Sequence, residues 1–373
     1  MSKWEMVKLG EIGDFASKSS IKAGEGKVEG KYKFFTSSNE QTKYLDEYLY
    51  DFPALIFGTG GNASVHYCDS PFATSTDCLV FFSTNSQINL KTIYNFLSGN
   101  MHLLENGFKG AGLKHISKTY IANDILIPLP PLKTQQKIAD VLDRAGALIE
   151  KRKVQIAKLD LLMKSQFVEM FGDPVTNEKG WIVKPIKDFA TVKIGPFGSL
   201  LHAEDYVENG ISLVNPSHII NGKIVPDPKL TLTVEKYSSM SAYALQMGDV
   251  VLGRRGEIGR CAVVDSRKYL CGTGSMFIRI ERDYVPIMLQ KIISSNSMRM
   301  ILEDKAVGVT MMNLNAGMIA NLAVIVPPLN LQNQFVDFVN QVEAQKSLLQ
   351  QSLEKLEFNY KSLMQKCFRG DLF

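Results

Sequence analysis

This chain is written twice. A proline pair, a Leu and a Gln open a long helical stretch at Pro130, Pro131, Leu132 and Gln135, and the same opening returns about 197 residues later at Pro327, Pro328, Leu329 and Gln332. Trp4 has a counterpart in Trp181, Ile121-Ala122-Asn123 returns as Ile319-Ala320-Asn321, and Gly172-Asp173 returns as Gly370-Asp371. A repeat of this length sets the architecture. The order is domain, helix, domain, helix, with boundaries at residues 1–131, 132–172, 173–328 and 329–373.

The helical stretches carry the clearest periodicity. Alternate steps of four and three from Ile138 meet Leu142, Ala145, Ile149, Arg152, Ile156, Leu159, Met163, Gln166 and Met170. The same steps from Phe335 meet Val339, Val342, Lys346, Leu349, Leu353, Leu356, Tyr360, Leu363 and Cys367. Both are coiled-coil seams in the same phase relative to their prolines. A proline pair stops the preceding strand and pre-sets the helix start, so each helix runs to its terminal glycine, roughly 58 Å at 1.5 Å per residue. An apolar stripe of this length needs a partner, and the simplest is the other copy, in an antiparallel pair with internal pseudo-two-fold symmetry. The rival arrangement packs each helix only on its own globular domain. Arg152, Gln166 and Lys346 interrupt the seams, either fixing register or reaching out to solvent.

Composition bounds the rest. With 45% hydrophobic and 21% charged residues in 373, the chain reads as an ordinary soluble protein large enough for two cores. No apolar run approaches membrane-spanning length and the start lacks a secretory segment, so the expected location is the cytoplasm, away from any membrane. A net charge of +4 permits nucleic-acid binding without demanding it. Cys68 and Cys78 share the spacing of Cys261 and Cys271 at roughly matching places. Without a C-x-x-C, the expectation is small buried residues on neighbouring strands, and His66 and His202 complete no zinc pattern.

Each globular half reads as α+β. Ala54 to Gly58 and Asp249 to Gly253 form matching strands followed by glycine-rich turns, and short helices follow at Leu90 to Leu97 and Pro286 to Ile293. The run Phe57-Gly58-Thr59-Gly60-Gly61 falls out of step with the F-x-G-x-G loop of cofactor-binding methyltransferases, and no phosphate-binding G-x-x-x-x-G-K-[ST] occurs. Asn215-Pro216-Ser217-His218 departs from the amino-methyltransferase tetrapeptide at its last two positions. Asp77, His115 and Asp205 have no partner that sequence can place beside them, so no catalytic or metal-binding residues are assigned.

Polar and basic residues gather instead at turns. Arg254, Arg255 and Arg260 surround a glycine turn, where backbone can approach a phosphate and a guanidinium can read guanine O6 and N7. Lys109, Lys114 and His115 flank a comparable loop in the first half, and Thr310 and Asn313 lie on the loop that holds the equivalent place in the second. The competing reading of each is a solvated hairpin.

The doubled layout, the I-P-L-P-P-L-x-x-Q-Q and V-P-P-L-x-x-Q helix openings, Gly195-Pro196-Phe197-Gly198-Ser199 and the Arg-Arg-Gly-Glu-Ile-Gly turn at 254–259 together resemble the DNA specificity subunit of Type I restriction-modification systems. The resemblance covers nearly the whole chain and implies two pseudo-symmetric target-recognition domains, separated by two long helices that form an antiparallel coiled coil. It further implies a non-catalytic subunit that binds double-stranded DNA, two methyltransferase subunits, and two motor-nuclease restriction subunits where the system has them. S-adenosylmethionine, ATP and Mg²⁺ would belong to those partners, leaving no cofactor in this chain. Carried over position by position, the recognition segments fall at Ser37, Ser38, Asn39, Lys109, Lys114 and His115 in the first domain. In the second they fall at Asn215, Ser217, His218, Arg254, Arg255, Arg260, Thr310 and Asn313. The first domain departs from the pattern, with Gly60-Gly61-Asn62 replacing the Arg-rich turn.

Two readers joined by helices predict an asymmetric target of two half-sites about one DNA turn apart with an unread spacer. The alternatives are a non-catalytic coiled-coil scaffold, whose DNA affinity would not fall with salt, and a stand-alone DNA methyltransferase, which would need the cofactor pocket and tetrapeptide that the sequence lacks.

Overall fold

The computed structural model describes residues 3–197, 200–256, 258–306 and 313–373. Two compact units make up the chain. One takes in Met1–Ile156 and Leu348–Phe373, the other Ala157–Ser347. Each holds one globular domain with part of both long helices, so the units cut across the four segments read from sequence.

The long helices span Leu132–Phe171 and Leu329–Arg369, 40 and 41 residues. In the first unit Ile138 and Leu142 of the first helix pack with Met364, Cys367 and Phe368 of the second. In the second unit Met163, Phe167 and Phe171 meet Phe335, Val339 and Val342. The start of one helix therefore lies against the end of the other in both units, an antiparallel pairing. Ile138, Leu142, Ile149, Met163, Phe335, Val339 and Val342 are buried, while Ile156, Leu159, Leu349, Leu353, Leu356, Tyr360 and Leu363 are half-buried. The helix ends also enter the domain cores: Phe335 shares a cluster with Ile186, Met288 and Leu302. The helices thus pair with each other, and the rival arrangement, in which each packs only on its own domain, is not the one adopted. Of the interrupting residues, Lys346 pairs its ammonium with Asp160 of the facing helix.

The repeated residues prove to be joints. Gln135 sits at the first helix opening with its carboxamide buried, accepting from Asn89 N at 2.8 Å and donating to Pro130 O at 2.8 Å and Gln87 O at 3.0 Å. Gln332 repeats this, accepting from Val285 N at 3.0 Å and donating to Pro327 O at 2.8 Å. Each Gln therefore ties its long helix to the entry of the short helix in its domain, at Leu90–Gly99 and Pro286–Ile293. The tryptophans close the other ends. Trp181 Nε1 donates to Phe171 O at 2.9 Å, satisfying an orphan carbonyl at its helix C-terminus, and Trp4 Nε1 donates at 3.2 Å to Cys367 O, which also accepts from Gly370 N.

Each domain is built on a four-stranded antiparallel sheet. In the first domain the order is Asp14–Phe15, Cys78–Phe82, Ala54–Gly58, Ser64–Cys68; in the second it is Ala190–Ile194, Ser275–Ile280, Val250–Gly253, Cys261–Val263. A second sheet contains a matching parallel pair, Tyr32–Phe35 with Phe72–Thr74 and Ile211–Val214 with Tyr269–Cys271. The second domain enlarges that sheet to five strands against three.

The cysteines are free and buried, but their matching spacing is a coincidence. Cys78 lies across from Gly58, the place that Ser275 takes across from Gly253; Cys271 lies across from Val214, the place that Thr74 takes across from Phe35. Burial pushes the Cys78 thiol up to about 11 and the Cys261 thiol up to about 12, so both stay protonated and behave as small apolar residues. Among the described residues no group of His, Cys, Asp or Glu could hold a metal ion, and no helix is long and apolar enough to cross a membrane.

Candidate nucleic-acid interface

Loops far apart in sequence converge at the same place in each domain. In the first, strand Ala54–Gly58 runs into the turn at Thr59 and Gly60, and Gly60 forms a β-bridge with His115. Lys109 and His115 pair with each other through both backbone bonds, each at 3.0 Å, which closes the 110–114 loop as a hairpin tip. Thr59 N donates to Asp77 O at 2.8 Å and Ile116 N to Thr59 O at 3.1 Å. Ser37 and Ser38 lie against the same sheet edge, since Ser64 Oγ donates to Ser37 O at 3.3 Å and His66 Nε2 lies 2.8 Å from Ser38 O. Ser38, Asn39, Lys109, Lys114 and His115 are exposed and Ser37 is half-buried.

The second domain repeats the crossing with other side chains. Arg254 N donates to Gly274 O at 3.0 Å, Leu314 N to Arg254 O at 2.9 Å, and Arg255 bridges Asn313. These bonds match those of Thr59 and Gly60 position for position. The turn residue after each bridge is glycine, Gly61 with φ +81° and Gly256 with φ +76°, where a side chain would be strained. Arg254 Nε donates to Asn313 Oδ1 at 3.1 Å. Burial and the charge of Arg255 beside it hold the Arg254 guanidinium below its ordinary value. Arg254, Arg260, Asn215 and Asn313 are half-buried; Arg255 and Ser217 are exposed. Thr310 lies outside the described residues.

One assignment is corrected. His218 is only 5% exposed, and its Nδ1 lies 2.7 Å from Leu213 O inside the domain. It braces the 215–218 turn from within, with little surface left to offer a partner.

Two exposed apolar side chains near these clusters are absent from the expected site residues. Leu113 is 80% exposed at the hairpin tip between Lys109 and Lys114, and Phe197 is 65% exposed beyond Gly195. Hydrophobicity alone assigns such residues to a core; the glycine-proline context of Phe197 was the available signal to the contrary.

Two copies of one α+β domain, each presenting a polar and cationic loop cluster on a shared backbone crossing, define a doubled nucleic-acid-recognition protein. The chain belongs to the Type I restriction modification DNA specificity domain family, whose model matches residues 1–159 and 178–358. It is 23% identical over 353 residues to the EcoBI Type I restriction enzyme specificity subunit of Escherichia coli, covering 85% of this chain and 73% of the relative. It is 20% identical over 399 residues to the MjaVIII specificity subunit of Methanocaldococcus jannaschii, covering 99% and 93%. Among solved structures, a Type I restriction-modification S subunit from M. genitalium superposes with a TM-score of 0.63 at 15% identity over 98% of this chain and 96% of that one. A chain from a structure of type I R-M complex assembly and conformational transition gives 0.58 at 15% identity over 99% and 98%. The role of the chain is DNA sequence specificity within a Type I restriction-modification system.

Proposed function

We propose that this chain reads an asymmetric, bipartite DNA target, one half-site per recognition face, and directs two methyltransferase subunits to it. Where the system restricts, two motor-nuclease subunits join through the same assembly. The observation that carries this reading is the repeated backbone crossing with unlike side chains: Thr59, Gly60 and His115 in one domain, Arg254, Arg255 and Asn313 in the other. Equal geometry gives two equivalent approaches to a duplex, and unequal side chains give two different half-sites. Phosphate contacts from Lys109, Lys114 and Arg254 would position the faces, and Arg255 and the serine and asparagine side chains would read bases.

The chain contributes position and no chemistry. S-adenosylmethionine, ATP and Mg²⁺ belong to the partners in this reading. Docking surface is available on the long helices, where Leu148, Val154 and Phe358 in the first unit and Leu161 and Val168 in the second are exposed. Exposed apolar side chains along a helix fit partner subunits.

The test is the adenine methylation pattern of cells with and without this gene. One split, asymmetric motif with a fixed spacer should lose methylation on deletion. An unchanged methylome, with the partner methyltransferase expressed and intact, would favour a protein scaffold. A scaffold would also show no salt-dependent DNA affinity, whereas neutralised phosphates give a steep linear fall on a log-log plot.

A further inference from the structure

The segment before residue 198 runs directly into the second recognition face. Gly195 N donates to Ser275 O at 2.9 Å, and a Cβ on Gly195 would stand 1.9 Å from Gly272 O. A Cβ on Gly272 would stand 2.1 Å from Asn215 Oδ1, and Gly274, two residues on, accepts from Arg254 N. Glycine is therefore required at 195 and 272, because three backbones cross there with no room for a side chain. Phe197 follows two residues later, within about 7 Å of Gly195 by chain length. Pro196 is buried between them, so the chain is held on one side of the exposed ring. A phenylalanine that is 65% exposed beside a crossing which also presents Arg254, Arg255 and Asn215 is not placed for the core.

In the first domain the corresponding strand pairs Phe15 with Phe81, as Val192 pairs with Ile278, and the segment that leaves it, Ala16 to Ile21, carries no aromatic side chain. The aromatic is thus a feature of one face only. We infer that Phe197 makes an apolar contact with a base of the half-site read by the second domain, so that this half-site carries an aromatic contact that the first lacks. The inference rests on the DNA-reading role proposed above. The apolar surface offered by duplex DNA is a thymine methyl in the major groove or the face of an unstacked base. Cations on the same crossing favour DNA over an apolar protein partner.

The experiment uses the full chain in its methyltransferase complex, in cells and then on oligonucleotides bearing the methylated motif. Phe197→Ala should weaken binding about tenfold and relax selectivity at one base pair of one half-site, leaving the other half-site as it was. Phe197→Trp should retain most of the binding, which a loss of folding would not allow. Replacing each thymine of the affected half-site by deoxyuridine separates the two sources. If one replacement weakens the unmodified complex but not Phe197→Ala, the contact is to a methyl group. If instead 2-aminopurine at one step brightens with the unmodified chain and not with Phe197→Ala, the ring faces an unstacked base. Phe197→Ala with unchanged motif and affinity, while Arg255→Ala relaxes the second half-site, overturns the inference and leaves the DNA-reading role intact. Loss of partner assembly with unchanged DNA selectivity also overturns it and makes Phe197 a protein contact. Absence of any motif dependent on the gene overturns the role itself.

Discussion

In the first recognition face the bridged turn presents Thr59 and Gly60 beside His115; in the second the same positions carry Arg254 and Arg255 beside Asn313. The backbone bonds that hold the two crossings are the same, from the strand before the turn to the buried residue after the bridge, Ile116 in one and Leu314 in the other. What differs is charge and reach. One face carries short polar groups and lysines on a hairpin tip, the other guanidinium groups close to the sheet. In the reading proposed above the difference separates two jobs: the crossing would set where a duplex can approach, and the side chains would decide what is read there. A half-site can therefore change by substitution on the crossing without disturbing the fold.

The largest expected difference between the halves lies beneath the faces, at the glutamine joints. Gln135→Ala orphans Asn89 N, Gln87 O and Pro130 O, whereas Gln332→Ala orphans Val285 N and Pro327 O. The buried carbonyls of Pro130 and Pro327 are left unpaired at about 1–3 kcal/mol each, and the part-buried Asn89 N, Gln87 O and Val285 N add less, so each substitution should destabilise its unit by about 2 kcal/mol, the first by somewhat more. Amide hydrogen exchange at the entries of the two short helices would show this. Losses under about 0.5 kcal/mol in both would mean that the joints hold little and the helices dock by their apolar faces; equal larger losses would mean that the bond to Gln87 O adds nothing.

These joints mark how far the sequence could be read. The long helices were legible because a period of 3.5 residues, a proline pair and a terminal glycine all speak locally. The repeat of Gln135 as Gln332 was visible, but its role was not, because its partners at Gln87 and Asn89 lie more than forty residues away along the chain. The same limit applies to the faces. The Arg-rich turn and the Lys109 hairpin were recognisable as loops, while their union with Asn313 and Thr59 rests on a few non-local hydrogen bonds. His218 failed for a different reason, since a polar residue in a turn gives no sign that its ring bonds inward to Leu213 O. Equal cysteine spacing misled because strand register, not spacing, sets equivalence.

A smaller effect separates the faces directly. Arg255→Ala should cost about 1–3 kcal/mol of discrimination at one base pair of one half-site, and the methylated motif should become degenerate there and nowhere else. The reciprocal change sharpens the comparison. A Cβ at Gly60 would meet His115 Cε1 at 3.2 Å, so Gly60→Arg fits only with a small shift of that ring. It should steepen the salt dependence of binding by about one released counterion. Degeneracy in both half-sites after Arg255→Ala would show that the two faces do not read independently.

The smallest expected effect is a pH dependence confined to the first domain. His66 stands across from Ile56, and its Nε2 donates to Ser38 O at 2.8 Å, holding the Ser37 to Asn39 segment against the sheet. In the second domain the matching position, across from Val251, is Ala262. Burial holds the His66 imidazole below its ordinary value of 6.5, against a weaker opposing pull from the bond to Ser38. The unfolded chain then takes up a proton at a pH where the folded one does not. Stability is complete above about 6.5 and is lost as pH falls from there toward the folded value, by at most about 1.4 kcal/mol per unit. Hydrogen exchange in strand Ser64–Cys68 should quicken between pH 7 and 5, beyond its intrinsic trend, while Cys261–Val263 stays level. His66→Gln, which keeps a donor for Ser38 O and removes the proton, should abolish the difference. If both strands respond alike, His66 is not what ties the first recognition segment down, and the selectivity of the first half-site should then show no loss at low pH relative to the second.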